Sequence, residues 1–220
     1  MRIISVKKGF TADHSSTSYE FAVVDQLLTN SKKAEIMKLS SRAKVTARKA
    51  SFHYHGESAD LPEKYISLME KYYDVMYSES YDYWTLSVAF VSEAPNKNEI
   101  YGYEFYGDGG CVEVCEKGGK TIVSMGAYLD MGELFDMGFR NGRGEERYGA
   151  DEEENIRKLQ DPLLALLCQI RRQLITGDYR ALYELYLMYG CEGEVDYPVP
   201  ESRTDGEEII AQFRNILYQI

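Results

Sequence analysis

Residues 161–190 constrain the fold more than any other stretch, because their pattern predicts two short helices that meet at a corner. The first helix is expected to begin at Asp161, a good capping residue, with Pro162 in its first turn. Gly177 suits a left-handed helix stop, and Asp178 can cap the second helix directly after it. The apolar positions of the first helix share one face: Leu163, Leu167, Ile170 and Leu174. Two helices joined by so short a break must turn sharply, so we expect them to pack on a sheet.

Alternation of apolar and polar residues predicts strands elsewhere along the chain. These segments are 2–8, 18–24, 83–91, 99–106 and a hairpin of 111–115 with 121–129 across the turn EKGGK. Residues 42–55 form a further strand candidate, in which the apolar positions change from odd to even numbers. That change indicates either a bulge near residues 48–50 or a break into two strands. Three more helices are predicted at 29–40, 60–77 and 206–218.

The order of these elements predicts an α+β fold, in which helices pack on one face of an antiparallel sheet. We expect a single domain, residues 1–220. Residues 1–140 would form the sheet together with two helices, and residues 156–220 would form the C-terminal helical corner and a final helix. The intervening residues 141–155 are charged, glycine-bearing and poor in apolar side chains, so we expect an acidic mobile loop there.

The charge of the chain is negative overall and unevenly distributed. The formal net charge of −11 argues against a protein whose whole surface tracks nucleic acid. Residues 1–50 carry ten Lys or Arg against four acids, so the remaining 170 residues sum to −17. This asymmetry is typical of a basic docking face, or of a basic segment that packs beside an acidic remainder. The 19 tyrosines, against one Trp, suit the rim of a sheet or an interface.

Cysteine spacing and hydropathy bear on the compartment. Cys111, Cys115, Cys168 and Cys191 are not spaced as a disulfide framework, so we interpret them as reduced thiols. No apolar run reaches the length of about 18 residues that a membrane-spanning helix needs. These features predict a cytoplasmic protein without a membrane partner.

Four segments of the chain resemble a family of uncharacterised bacterial proteins. The family carries a YEF opening, an SSRA segment, an LMEKYFD helix and a GDxRALY corner in this order. The matching segments are YEFAVVDQLL at 19–28, LSSRAKVTARKASFHYHG at 39–56, LMEKYYD at 68–74 and LCQIRRQLITGDYRALYELYL at 167–187. The resemblance covers residues 18–90 and 160–220, about two-thirds of the chain. It implies a shared fold and no activity, because no function is assigned to the family.

Two departures from the family pattern stand out. The first 17 residues, which include TADHSSTS, are an addition to the commoner form of the family. That form also has a Trp-Gly pair near the position of residues 81–84, which read YDYW in this chain. The resemblance therefore says nothing about the N-terminal segment.

The three histidines of the chain form the strongest candidate metal site. His53 and His55 lie two residues apart, so on a strand both would point to one face, a spacing that many metal sites use. Asp13 and His14 lie in an earlier loop of the chain and could supply further ligands. The pattern fits a metal-dependent hydrolase, or two partly exposed histidines at the solvated end of a strand.

No group of residues predicts catalysis by a side-chain nucleophile. Asp13, His14 and Ser15 are consecutive, and neighbours in sequence rarely converge as a triad. The chain has no GxSxG elbow, and GDGG at 107–110 lacks the Lys and Ser or Thr of a phosphate loop. Arg171, Arg172 and Arg180 fit an anion clamp, the wet faces of helices, or salt bridges. We therefore predict no catalytic residues and no cofactor.

The leading hypothesis is a non-enzymatic cytoplasmic module, adaptor or regulatory, that binds another protein. Its binding surface would combine three basic residues with tyrosines near the middle of the chain: Arg42, Lys44, Arg48, Tyr73, Tyr77, Tyr81 and Tyr83. The alternatives are the histidine-dependent hydrolase and a protein that binds nucleic acid through Arg42, Lys44, Arg48 and Lys49. The partner, the process and the oligomeric state stay open at this point.

Overall fold

Alternating apolar residues build an antiparallel sheet across the chain in the computed structural model. The structure describes residues 16–55, 65–80, 83–91, 97–107, 109–128, 150–190 and 198–217. Within these ranges the sheet has eight strands: β1 Ser16–Ala22, β2 Lys44–Val45, β3 Lys49–His55, β4 Val75–Ser80, β5 Tyr83–Val91, β6 Phe105–Tyr106, β7 Gly110–Lys117 and β8 Lys120–Tyr128. Their order is β2-β3-β1-β4-β5-β8-β7-β6, and every neighbouring pair is antiparallel.

Helices flank this sheet on both faces. The described helices are α1 Asn30–Leu39, α2 Tyr65–Lys71, α3 Lys97–Tyr101, α4 Ala150–Ile175, α5 Arg180–Tyr189 and α6 Glu207–Leu217, the last preceded by a short 3-10 turn at Thr204–Gly206. The first face of the sheet carries Leu86 and Val88 of β5 and packs against α4, α5 and α6. The second face carries Phe21 and Phe52 and packs against α1 and α2. The predicted antiparallel α+β fold is confirmed, with the correction that two helices lie on the opposite face from the C-terminal three.

The predicted C-terminal corner is confirmed, but its first helix begins earlier than expected. Gly177 adopts a left-handed φ of 78°, as a glycine helix stop requires. The predicted stripe of the first helix is buried: Leu163, Leu167, Ile170 and Leu174. Helix α4 starts at Ala150, so Asp161 does not cap it and Pro162 lies inside it. The acidic segment 150–155 is therefore helical rather than a loop, and its Ala and Glu residues are good helix formers; residues 141–149 lie outside the described ranges.

The helix predicted over residues 60–77 is wrong in its second half. Helix α2 ends at Lys71, and Val75 begins strand β4. The run Val75–Tyr77 is apolar at every position because β4 lies inside the sheet and is buried on both faces. A short apolar run of this kind fits a buried helix and a buried strand equally well in sequence.

Tight turns form the two hairpins near opposite edges of the sheet, β7–β8 and β2–β3. The predicted β7–β8 hairpin is confirmed, with Gly118 and Gly119 at positive φ in its turn. The parity change in residues 42–55 reflects a break into two strands, since the Thr46 N–H donates to the Lys49 carbonyl at 2.8 Å and closes a tight turn between β2 and β3. The strand predicted at 99–106 is instead helix α3 followed by the two-residue strand β6. The strand predicted at 2–8 lies outside the described residues.

Candidate binding surfaces

The loop after β1 is fastened to the β2–β3 turn by backbone hydrogen bonds. The Val23 N–H donates to the Arg48 carbonyl and the Leu28 N–H donates to the Ala47 carbonyl, each at 2.9 Å. Between these two anchors every side chain from residue 24 to residue 27 is exposed. The backbone therefore holds the loop in place while its side chains face solvent.

A buried carboxylate, Asp74, holds the other side of the same loop. Its Oδ2 accepts from the Val24 N–H at 2.7 Å and from the Asp25 N–H at 3.2 Å. Its Oδ1 lies 3.1 Å from Lys120 Nζ, which also donates to the carbonyls of Met69 and Tyr73. Burial raises the pKa of Asp74, but the two N–H donors and the Lys120 charge outweigh burial and hold this pKa below its usual value. Asp74 therefore stays ionised and fixes where the loop leaves β1.

Both acidic side chains of residues 23–49 are exposed, and each is bound by other side chains of the molecule. Asp25 forms a two-pronged ion pair with Arg171 of α4, with Nη2–Oδ2 at 2.5 Å and Nη1–Oδ1 at 3.2 Å. Glu35 of α1 accepts from the Tyr72 hydroxyl at 2.8 Å and from the Ser31 hydroxyl at 3.2 Å. The charge of Asp25 is therefore neutralised by Arg171, and the carboxylate oxygens of Glu35 are hydrogen-bonded within the molecule.

The cations of the same segment are mostly exposed. Residues 23–49 carry seven Lys or Arg against two acids, a balance of +5. Three large apolar side chains are exposed among them, namely Val24, Leu27 and Met37, the last two more than half accessible to solvent. We define the basic surface as these exposed residues: Val24, Leu27, Lys32, Met37, Lys38, Arg42, Lys44 and Arg48. Its cations make no ion pair with another described residue, and the Arg42 guanidinium lies 5.9 Å from the centre of the Tyr54 ring.

The structure separates the predicted tyrosines from these cations. Tyr73 and Tyr77 are buried, so both are wrong as partner-binding residues. Tyr73 packs in the core of the second face, with its ring centre 5.0 Å from that of Phe21, and Tyr77 belongs to the core of the first face. Tyr81 lies outside the described residues. Tyr83 is half-buried on β5, which β1 and β4 separate from β3, so it does not continue the basic surface.

Tyr83 instead belongs to an aromatic patch near the other end of the sheet. Its ring packs edge-on against Tyr128 at 5.0 Å, and its hydroxyl lies 3.4 Å from Cys111 Sγ. The ring lies across Gly126, where a Cβ would overlap the Tyr83 hydroxyl, so only glycine leaves room for it. Strand register places Tyr106 beside Cys111 on the same face, where Tyr106 is 72% exposed.

We define the tyrosine patch as Tyr83, Tyr106, Cys111, Glu113 and Tyr128, all on the second face of the sheet. Tyr128 is 52% exposed and Glu113 is exposed. The Glu113 charge is the main cause that raises the pKa of Tyr106, with smaller contributions from burial and from Glu104. Burial, together with the contact to Cys111, raises the pKa of Tyr83. Tyr83 and Tyr106 therefore stay neutral at ordinary pH and present aromatic rings close to the Glu113 carboxylate.

A buried carboxyl group on the first face was not predicted from sequence. Glu79 Oε2 accepts from the Tyr77 hydroxyl at 3.1 Å, whereas its Oε1 is buried without a hydrogen-bond partner among the described residues. Burial raises the pKa of Glu79 to about 8. The signal in the sequence is the strand period, because Val75, Tyr77 and Glu79 alternate onto the same core-facing side.

The histidine hypothesis finds little of its set within the described residues. His53 is exposed on β3, opposite Ser18 of β1, and His55 is the last residue of the same strand. Asp13 and His14 lie outside the described ranges. No group of three or more His, Cys, Asp or Glu side chains in the described part of the chain is arranged to hold a metal ion. The metal site stays a prediction.

The GDxRALY motif forms a buried ionic clamp at the helical corner. Arg180 donates from Nε and Nη2 to the two carboxylate oxygens of Asp178, at 2.9 Å and 2.7 Å. Its Nη1 donates to the Arg203 carbonyl at 2.6 Å and also pairs with Glu207 of α6. Burial raises the pKa of Asp178, but the Arg180 hydrogen bonds and charge outweigh it and lower this pKa. Of the roles open to Arg180 from sequence, the salt bridge is the one observed, and it ties the corner to the final helix.

Three further observations concern the thiols, the helices and the comparison with known proteins. The described cysteines, Cys111, Cys115 and Cys168, are free thiols. Among the helices described above, none is long and apolar enough to cross a lipid bilayer. Comparisons of the chain with protein-family models, with curated proteins and with solved structures found no match.

Proposed function

We propose that this protein is a non-enzymatic module that binds an acidic, partly apolar segment of a partner protein through the basic surface. The observation that carries the proposal is the exposure of Leu27 and Met37 among cations that have no acidic partner among the described residues. Exposed apolar side chains rimmed by charged residues are typical of a protein interaction site.

The two kinds of side chain on this surface contribute differently to binding. Covering the exposed parts of Leu27 and Met37 contributes about 1–2 kcal/mol each, at roughly 25 cal/mol per Å² of apolar area. Exposed cations such as Lys44 and Arg48 add less than about 1 kcal/mol each, but they steer an acidic partner and speed its association. The apolar residues would supply affinity, and the charges would supply selection for an acidic partner.

Nucleic acid is the competing partner for the same cations. Proteins that grip single strands combine cations with aromatic rings on which bases stack. The basic surface as defined by its residues has no aromatic member, and Tyr54 beneath Arg42 is buried. The overall charge of −11 also repels a polyanion at long range. These features favour a protein segment over a phosphate backbone.

Two further parts of the proposal concern the cellular compartment of the protein and its resemblance to a family. The free thiols support a reducing compartment such as the cytoplasm. The resemblance to the bacterial family with the GDxRALY corner is proposed to reflect a common fold, because Asp178 and Arg180 serve the packing of that corner. Neither point bears on which partner is bound.

Affinity capture with matched variants tests the proposal. The tagged chain is incubated with host extract, and the recovered proteins are compared between wild type, the charge variant R42E/K44E/R48E and the apolar variant L27S/M37S. The controls alter equivalent exposed residues elsewhere, Arg172→Glu and Leu187→Ser.

The expected result is a protein partner that wild type and both controls retain and that both test variants lose. Recovery should also fall as salt is raised, since exposed charge pairs are screened over about 10 Å at 0.1 M salt. Nuclease-sensitive recovery would point to nucleic acid instead. Equal recovery by all five proteins would show that the basic surface is not the binding site.

A further inference from the structure

The two ends of the sheet have opposite character. Strands β2 and β3 form one end, where Lys44 and Arg48 of the basic surface lie on β2 and in the β2–β3 turn. Strands β7 and β6 form the other end and carry Tyr106, Cys111 and Glu113 of the tyrosine patch. Five strands stand between β2 and β7 in the sheet order, so one molecule cannot bring the two surfaces together.

The charges at the two ends are complementary. Residues 23–49 balance to +5, and their two acids are bound by other side chains of the same molecule. On the other side, the carboxylates of Glu104 and Glu113 both lie near enough to Tyr106 to raise its pKa, which places negative charge around an exposed ring. The Glu104 carboxylate also accepts from the Val114 N–H at 2.7 Å, which holds it at the β6–β7 edge.

The tyrosine patch suits Lys and Arg side chains in particular. A tyrosine face attracts a cation held within about 6 Å of the ring centre, and a neighbouring carboxylate adds to that attraction. Such a contact is present between Arg42 and Tyr54. Tyr106 and Tyr128 are the exposed rings of the patch, so each can receive a cation from outside.

We infer that the tyrosine patch of one copy of this chain receives the basic surface of a second copy, so that copies associate head to tail. The contact joins two different surfaces, so it is heterologous and leaves one free surface at each end of the assembly. The inference deepens the proposed function, because the second copy and the acidic partner would compete for the same cations. Binding of the acidic partner would then dissociate the copies from one another.

The two surfaces can be disabled separately, which gives a direct test by sedimentation velocity of the full chain. The basic-end variant K44E/R48E keeps an intact tyrosine patch, and the patch variant Y106S/Y128S keeps an intact basic surface. All four side chains are exposed, so thermal melts should match wild type and confirm that both variants fold. Each variant alone lacks one half of the contact, but an equal mixture can form one complete contact per pair.

We expect the average mass of wild type to rise with protein concentration at low salt. At high salt the association constant should be roughly tenfold lower. Each variant alone should stay monomeric, and their mixture should form a 1:1 dimer that does not grow further. The Y106F/Y128F variant keeps both rings and should associate as wild type does.

Three outcomes would overturn the inference. These are a wild type that stays monomeric over the whole concentration range, a patch variant that still associates, and a mixture of the two variants that fails to pair. The patch variant separates this inference from the proposed function, because it should still capture the acidic partner. If it captures the partner while wild type is monomeric, the proposed function stands and the head-to-tail contact is wrong.

Discussion

Replacing Glu79 by glutamine is expected to stabilise the protein at alkaline pH and to leave its stability nearly unchanged in acid. The Glu79 carboxyl group is buried beside Tyr77, and burial raises its pKa from 4.5 to about 8. Between these values the folded chain holds a proton that the unfolded chain releases. The free energy of unfolding therefore falls as the pH rises through this window.

The size of the effect follows from the width of that window. Each pH unit between the unfolded and folded pKa values of Glu79 costs about 1.36 kcal/mol, so the full loss approaches about 5 kcal/mol above pH 8. A loss of this size is comparable to the total stability of many domains. Glutamine has nearly the same shape as protonated glutamate and can still accept from the Tyr77 hydroxyl, but it never ionises.

Urea unfolding between about pH 4 and about pH 9 measures this difference. The stabilities of wild type and Glu79→Gln should coincide near pH 4 and diverge steadily as the pH rises, with the variant more stable. The exposed Glu201→Gln variant makes the same change of charge at the surface and should follow wild type throughout. Parallel curves for wild type and Glu79→Gln would mean that Glu79 ionises normally in the folded chain, and the reasoning from burial would be refuted.

Two further substitutions test the packing at the helical corner and at the tyrosine patch. Asp178→Ala should cost about 3–5 kcal/mol in urea unfolding, because it leaves the buried Arg180 without its main partner; Glu207→Ala removes an exposed partner of the same arginine and should cost less than about 1 kcal/mol. Gly126→Ala should cost about 1–3 kcal/mol and displace the Tyr83 ring. That displacement should speed thiol labelling at the neighbouring cysteine, and an unchanged labelling rate would contradict it.

Local patterns in the sequence were sufficient to predict the helical corner, the β7–β8 hairpin and the α+β class. Each of these depends on a signal that residues a few positions apart carry together. At the corner the signals are the apolar stripe and the left-handed Gly177, and in the hairpin they are Gly118 and Gly119 at positive φ. These signals are short in range, so they can be recognised without knowledge of how the rest of the chain folds.

Burial of individual polar and aromatic side chains was decided by the tertiary structure. Tyr73 and Tyr106 are the same residue type in similarly tyrosine-rich stretches, yet one lies in the core and the other is 72% exposed. The difference arises because Tyr73 faces α2 and the interior strands, whereas Tyr106 lies on a two-residue edge strand. No local pattern records which strands become neighbours across long separations in sequence.

The same reason separates what was predicted of the candidate surfaces from what was not. The exposed cations Arg42, Lys44 and Arg48 were recognised because they cluster within seven residues of the chain. The tyrosine patch was not recognised, because strand pairing brings its residues together from β5, β6, β7 and β8. The buried carboxyl group of Glu79 was not recognised either, because its burial arises where α4 packs on β4. Composition and periodicity determine which elements form, but only the order of strands in the sheet determines which side chains meet.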